Sequence, residues 1–145
     1  MTRLTLALDV MGGDIGPRIT IPASLLALEK DPMLSLFLFG DSQQITHLLE
    51  NCPKTLLERI QIQHCSRTID NNYGISHALR HSKGTSMRLA LEAVKLGAAQ
   101  GCVSAGNTGA LMGLSKILLQ PLKGIARPAL ISLIPTMDGG KSVML

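Results

Sequence analysis

Short apolar runs closed by small polar residues recur along this chain, separated by stretches patterned for helix. Residues 3–10 (Arg-Leu-Thr-Leu-Ala-Leu-Asp-Val) run into Met11-Gly12-Gly13-Asp14, residues 34–39 (Leu-Ser-Leu-Phe-Leu-Phe) close on Gly40-Asp41, and residues 100–105 close on Gly106-Asn107. Helical patterns fill 19–29, 42–51, 74–81, 86–96 and 107–119, with a short helix restarted at Pro53 and loops at 11–17, 65–73 and 121–127. Residues 60–64 alternate as a half-exposed strand, and 129–134 and 141–145 read as further strands. Strand alternating with helix predicts an α/β fold with a parallel, doubly wound sheet and right-handed crossovers. In such sheets ligands bind beyond the carboxyl ends of the strands. Segments 11–14, 83–88 and 104–109 are therefore expected at one edge, as one candidate site.

The composition fits that architecture. A chain of 145 residues is one domain's length, and it buries roughly two-thirds of its unfolded surface. It is 46% hydrophobic with only three aromatics, Phe37, Phe39 and Tyr73, so the core must come from Leu, Ile, Val, Ala and Met. Both faces of the sheet are then expected under helices. No apolar run reaches the ~18 residues of a membrane span. Residues 3–10 carry Asp9 and no small-residue cleavage site, so they read as a strand rather than a secretory leader. Cys52, Cys65 and Cys102 are odd in number and lack C-x-x-C spacing, which indicates neither a disulfide framework nor a zinc site; a reducing cytoplasm is expected. A formal charge of +4 and a pI near 9.2 favour anionic partners. Nucleic acid is disfavoured, because no Lys/Arg run and no basic stripe with stacking aromatics occurs.

Three segments carry chemistry. In the Ser104–Gly109 turn, Gly106 and Gly109 remove side chains where a ligand would approach the backbone, and Asn107 or Thr108 is placed to cap the helix that follows. The amino end of that helix offers unpaired N–H groups and a positive dipole end, suited to phosphate or carboxylate. An ordinary capped turn without ligand is the competing reading. In the second segment, Gly12 and Gly13 let the backbone pass near a ligand while Asp9 and Asp14 offer acceptors; positive-φ turn geometry alone would also explain the glycines. In the third, Lys83 and Arg88 flank the start of a helix capped by Thr85 or Ser86, so charge and dipole point toward an anion; two solvated cations are the alternative. His77 and His81 share a helix face, but no Glu follows the first and no third ligand is evident, so they read as a surface pair. Two signatures fail. Gly106, Gly109 and Gly113 give G-x-x-G-x-x-x-G, not the dinucleotide fingerprint, and Gly140-Lys141-Ser142 lacks the upstream glycine of a phosphate loop, with Pro135 in its place. No cofactor is expected.

Over Ala7–Asp14, Ser82–Glu92, Cys102–Leu114 and Gly124–Ala129 the chain resembles the bacterial acyl-acyl-carrier-protein:phosphate acyltransferases of phospholipid synthesis, the PlsX family. The resemblance extends over essentially the whole chain in order and spacing. It implies a three-layer α/β/α sandwich with a mostly parallel sheet, similar to the isocitrate dehydrogenase and phosphotransacetylase group and assembled as a homodimer. It also implies transfer of a fatty acyl group from acyl-carrier protein to inorganic phosphate, giving acyl-phosphate. Family members look more than twice this long, so the chain is read as an amino-terminal portion, and a fragment that binds phosphate or carrier protein without turnover is the alternative. On this resemblance phosphate holding falls to Ser104, Gly106 and Thr108 of the turn and to Lys83, Ser86 and Arg88. Asn107 is assigned as donor to phosphate or the oxyanion, and Gly12, Gly13 and Asp14 as cleft floor. Lys116, Lys123 and Arg127 are candidates to dock the acidic carrier, or plain surface cations. Membrane association is expected to be peripheral at most.

Overall fold

The computed structural model describes residues 4–144. Arg3 and Leu145, read above as strand ends, lie outside the described residues. The chain forms β1 (Leu4–Asp9), α1 (Pro17–Lys30), β2 (Leu34–Gly40), α2 (Ser42–Leu48), α3 (Lys54–Leu57), β3 (Ile60–His64), α4 (Ile75–Arg80), α5 (Ser86–Lys95), β4 (Gly101–Ser104), α6 (Thr108–Leu119), β5 (Ser132–Pro135) and β6 (Lys141–Met144). The first four strands make one sheet in the order β3-β2-β1-β4, every neighbouring pair parallel. It is an α/β fold with a four-strand parallel sheet flanked by helices.

Alternation of side chains along the strands divides the core. Leu34, Leu36 and Leu38 of β2 pack with Ile21 and Leu28 of α1 and Ile45 of α2 on one face. Ala7 and Phe39 face the other way, against Ala90 and Ala93 of α5. A third cluster joins Met87 and Leu91 of α5 to Ala110, Leu114 and Leu118 of α6 and Ala78 of α4. Burying each such Leu or Ile contributes about 1.5–3 kcal/mol. Phe37 and Phe39, with ring centroids 4.4 Å apart and planes tilted by 42°, are the two phenylalanines of this aromatic-poor core.

Helix α1 begins two residues earlier than expected, because Pro17 occupies the first helical position, where its missing N–H costs nothing, and Pro22 is carried inside the helix. At its other end the Arg59 guanidinium takes up orphan carbonyls: NH1 donates to Asp31 O and Leu34 O, and NH2 to Leu28 O at 2.6 Å. Residues 129–134 and 141–145 depart from the mostly parallel expectation. The observed β5 and β6 form a separate antiparallel pair, Leu133 opposite Val143, turned at Gly139 with φ +80°. A short turn joins the two strands, so antiparallel pairing is the arrangement they can reach; parallel pairing needs a crossover. No helix among the described residues is long and apolar enough to cross a membrane.

Candidate functional site

Parallel strands place the amino ends of α1, α5 and α6 at the carboxyl edge of the sheet, where the three expected segments meet. Asp9, the last residue of β1, is 1% exposed. Its Oδ2 accepts from Ser104 Oγ at 2.7 Å, and Ser104 Oγ in turn accepts from Gly106 N at 3.1 Å. Gly12 lies on this chain of bonds: a Cβ there would come 2.8 Å from both Asp9 Oδ2 and Gly106 N. The glycine thus lets loop 11–13 rest on turn 104–106. Gly13, at φ +89°, holds a conformation that favours glycine. Asp14 Oδ1 accepts from Asn71 Nδ2 at 3.0 Å.

Asn107 is the residue whose expected role changes most. Its Oδ1 accepts from Ala110 N at 2.9 Å, the expected helix cap. Its Nδ2 donates to Asn71 O and to Tyr73 O, each at 3.0 Å, so both amide hydrogens are engaged. Asn107 here ties α6 to loop 70–73. Thr108 N and Gly109 N, in the first turn of α6, meet no acceptor among the described residues. Gly109 also differs from expectation: a Cβ there would sit 2.7 Å from Ile75 Cγ1, and one at Gly113 3.1 Å from Leu79 Cδ2. Those two glycines seat α4 on α6.

The start of α5 is built differently. Thr85 stands at the cap position without a capping side-chain bond; its hydroxyl donates to Ser82 O instead. Ser86 N donates to Arg67 O, while Ser86 Oγ and Asp9 Oδ1 are buried without a hydrogen-bond partner among the described residues. Arg88 turns away from the edge: Nε pairs with Glu92 Oε1 at 2.8 Å, and NH1 donates to Ser82 Oγ at 3.0 Å. The i,i+4 ion pair and the Ser82 bond thus hold its guanidinium. Lys83 is exposed, and no ion pair forms at it among the described residues.

Sequence reasoning missed Asn71 and Arg67. Asn71 bridges Asp14 and Asn107, and Arg67 clamps the approach to α5 by donating to Lys83 O and His81 O. Their only signal was a polar, turn-rich stretch. Three adjoining clefts line the edge: about 300 Å³ over Gly12, Gly13, Asp14 and Ala105, about 290 Å³ over Asp14, Thr68 and Asn71, and about 310 Å³ over Arg67, Tyr73, His77 and His81. The His77 and His81 rings lie 4.2 Å apart, and His81 Nδ1 faces His77 O at 3.0 Å. Burial, reinforced by the Asp9 charge, pushes the Cys102 thiol up to about 12 and the Cys65 thiol up to about 11. Neither thiol is a thiolate at neutral pH. The edge therefore offers two unpaired backbone N–H groups at the amino end of α6, an arrangement suited to an anion.

Residues 4–145 match the model of the family described as "Fatty acid synthesis protein". The chain belongs to that family. The match takes in every strand of the sheet and every segment of the candidate site. Similar curated proteins named "Phosphate acyltransferase" come from Pasteurella multocida (83% identical over 145 residues), Mannheimia succiniciproducens (79%) and Haemophilus ducreyi (59%), each covering 100% of the chain. The chain spans 42–43% of the length of these relatives.

Proposed function

We propose that this chain carries the phosphate-holding edge of a phosphate acyltransferase, which moves a fatty acyl group from acyl-carrier protein to inorganic phosphate. The observation that supports this reading most is the α6 amino end, with Thr108 N and Gly109 N unpaired beside a turn fixed by Asp9 and Ser104. In the reaction a phosphate oxygen attacks the thioester carbonyl carbon and the C–S bond breaks. The sulfur leaves as thiolate, with a thiol pKa of roughly 8.5, so it departs with little acid assistance. The nucleophile is already an anion, which is why an edge without a catalytic triad suffices. The protein's share is to hold phosphate beside the carbonyl and to stabilise the oxyanion.

In this reading Ser104, Gly106 and Thr108 shape the phosphate cradle, Gly12, Gly13 and Asp14 its floor, and Ser86 with Lys83 a second wall. Arg88 joins only by releasing Glu92, and Asn107 reaches phosphate or the oxyanion only by releasing Asn71 O and Tyr73 O. A sandwich similar to the isocitrate dehydrogenase group, a homodimer, a cytoplasmic setting and docking of the acidic carrier complete the proposal. The alternative, binding without turnover, draws on the 43% share of the relatives' length. The deciding experiment measures acyl-phosphate formation from acyl-carrier protein and phosphate by this chain and by Asn107→Ala, with phosphate binding followed in parallel. Activity lost in the variant supports the reading. Binding without turnover favours the alternative, and neither binding nor turnover overturns both for this chain.

A further inference from the structure

Asn71 is exposed on the loop between β3 and α4, where water would satisfy its amide, yet its side chain and its carbonyl both bond to distant segments. Nδ2 donates to Asp14 Oδ1, 57 residues away in sequence, and the carbonyl accepts from Asn107 Nδ2, 36 residues away, each at 3.0 Å. Nothing in the local sequence calls for either bond. The loop tip is shaped by its own residues: Asp70 Oδ1 accepts from Asn72 N at 2.8 Å, and Asp70 O from Tyr73 N at 3.1 Å. This Asx turn sets the carbonyls of Asn71 and Tyr73 toward one nitrogen, Asn107 Nδ2.

Those carbonyls explain why residue 107 is asparagine. Capping α6 needs only the side-chain oxygen, which takes Ala110 N at 2.9 Å, and aspartate or serine would cap as well. A carbonyl can only accept, so two of them facing residue 107 require donors there; asparagine supplies cap and donors together, without adding negative charge. With Nδ2 fixed on the loop, Oδ1 is fixed on Ala110 N, and Thr108 N and Gly109 N stay open to an anion. At the other tie, Asp14 alone is charged among the residues lining the cleft over Gly12 and Gly13, and its carboxylate repels an anion there. The Asn71 amide hydrogen on Oδ1 offsets part of that charge. We propose that Asn71 is a positioning residue of the anion site: through Asn107 it fixes the cap of α6, and through Asp14 it tempers the carboxylate on the cleft floor. The inference rests on the reading of this edge as the phosphate holder and adds to it a residue that touches no substrate.

The test titrates the 145-residue chain with inorganic phosphate, following the Gly106 and Thr108 amide shifts, and repeats the titration on Asn71→Ala, on Asp14→Asn and on the double variant. Asn72→Ala is the control: Asn72 lines the same cleft as Asn71, and among the described residues only its backbone N–H is bonded. The chain holds one tyrosine, Tyr73, and no tryptophan, so intrinsic emission reads this loop alone. Phosphate affinity is expected to fall roughly fivefold or more in Asn71→Ala, with lower Tyr73 emission anisotropy and an unchanged melting temperature, while Asn72→Ala changes none of these. Asp14→Asn is expected to gain more affinity in the Asn71→Ala background than in the unaltered chain, a coupling that a purely structural tie would not produce. Binding indifferent to Asn71→Ala, a loss that tracks a lowered melting temperature, or equal gains from Asp14→Asn in both backgrounds overturns the inference and leaves the phosphate reading standing. Failure of the unaltered chain to bind phosphate overturns both.

Discussion

Ser104 is the residue through which the loops at the carboxyl edge are joined, because one hydroxyl both donates to Asp9 and accepts from Gly106. Ser104→Ala leaves a buried carboxylate and a backbone N–H without partners and is expected to cost about 1–3 kcal/mol, read as a drop in the urea midpoint, together with loss of phosphate binding. Gly12→Ala forces a Cβ to within 2.8 Å of Asp9 Oδ2 and Gly106 N, so one of them must shift. A loss of about 1–3 kcal/mol is expected, while Gly74→Ala, whose Cβ would meet nothing, serves as the quiet control. Asp41 caps α2 through Gln43 N, and its carboxyl is held below the usual 3.8, first by the Gln44 side chain and then by the Gln43 N–H. The folded state therefore binds this proton more weakly than the unfolded one. The cap's contribution is complete above pH 3.8 and fades as pH falls from there through the lower folded value; acid titration of α2 amide shifts reads it, and Asp41→Asn removes that pH dependence. Gly12, Gly13 and Asn107 were legible as special positions because glycine and a capping side chain advertise backbone geometry. Their partners were not, since Asp9 to Ser104 and Asn107 to Asn71 are pairings that only the tertiary fold creates.

Elements were legible where a local rule governs them. Period-2 and period-3.6 patterns and the caps placed β1 through α6 to within a few residues, with 60–64 matching β3 at both ends. The seating of α4 on α6 was not legible, because Gly109 was read for ligand approach and Gly113 only against a dinucleotide fingerprint, whereas both glycines face α4 side chains. Gly109→Ala would drive a Cβ into Ile75 and is expected to lower the melting temperature by separating α4 from α6, with Ile75→Ala in the same chain restoring most of the loss. The residues 129–144 misled for a different reason: a strand signal says nothing about which strand will be its partner, and β5 and β6 found each other.

At the scale of the molecule, residues 121–144 are exposed along their whole length, including Ile131, Leu133 and Val143. A two-stranded ribbon with apolar side chains and open edges invites self-association. Light scattering is expected to rise with concentration, and Leu133→Lys is expected to suppress it without altering phosphate binding. The sheet itself is secured unevenly. At the amino edge one guanidinium, that of Arg59, gathers carbonyls from the end of α1 and the start of β2, while the carboxyl edge is joined by several separate side chains between loops, Ser104, Asn71 and Asn107. The anchored end and the loops proposed to hold phosphate thereby lie at opposite ends of the same strands. Substitutions that retune the loops for another anion would leave the anchored end intact, so such a scaffold has freedom to change what it binds before it forfeits its shape.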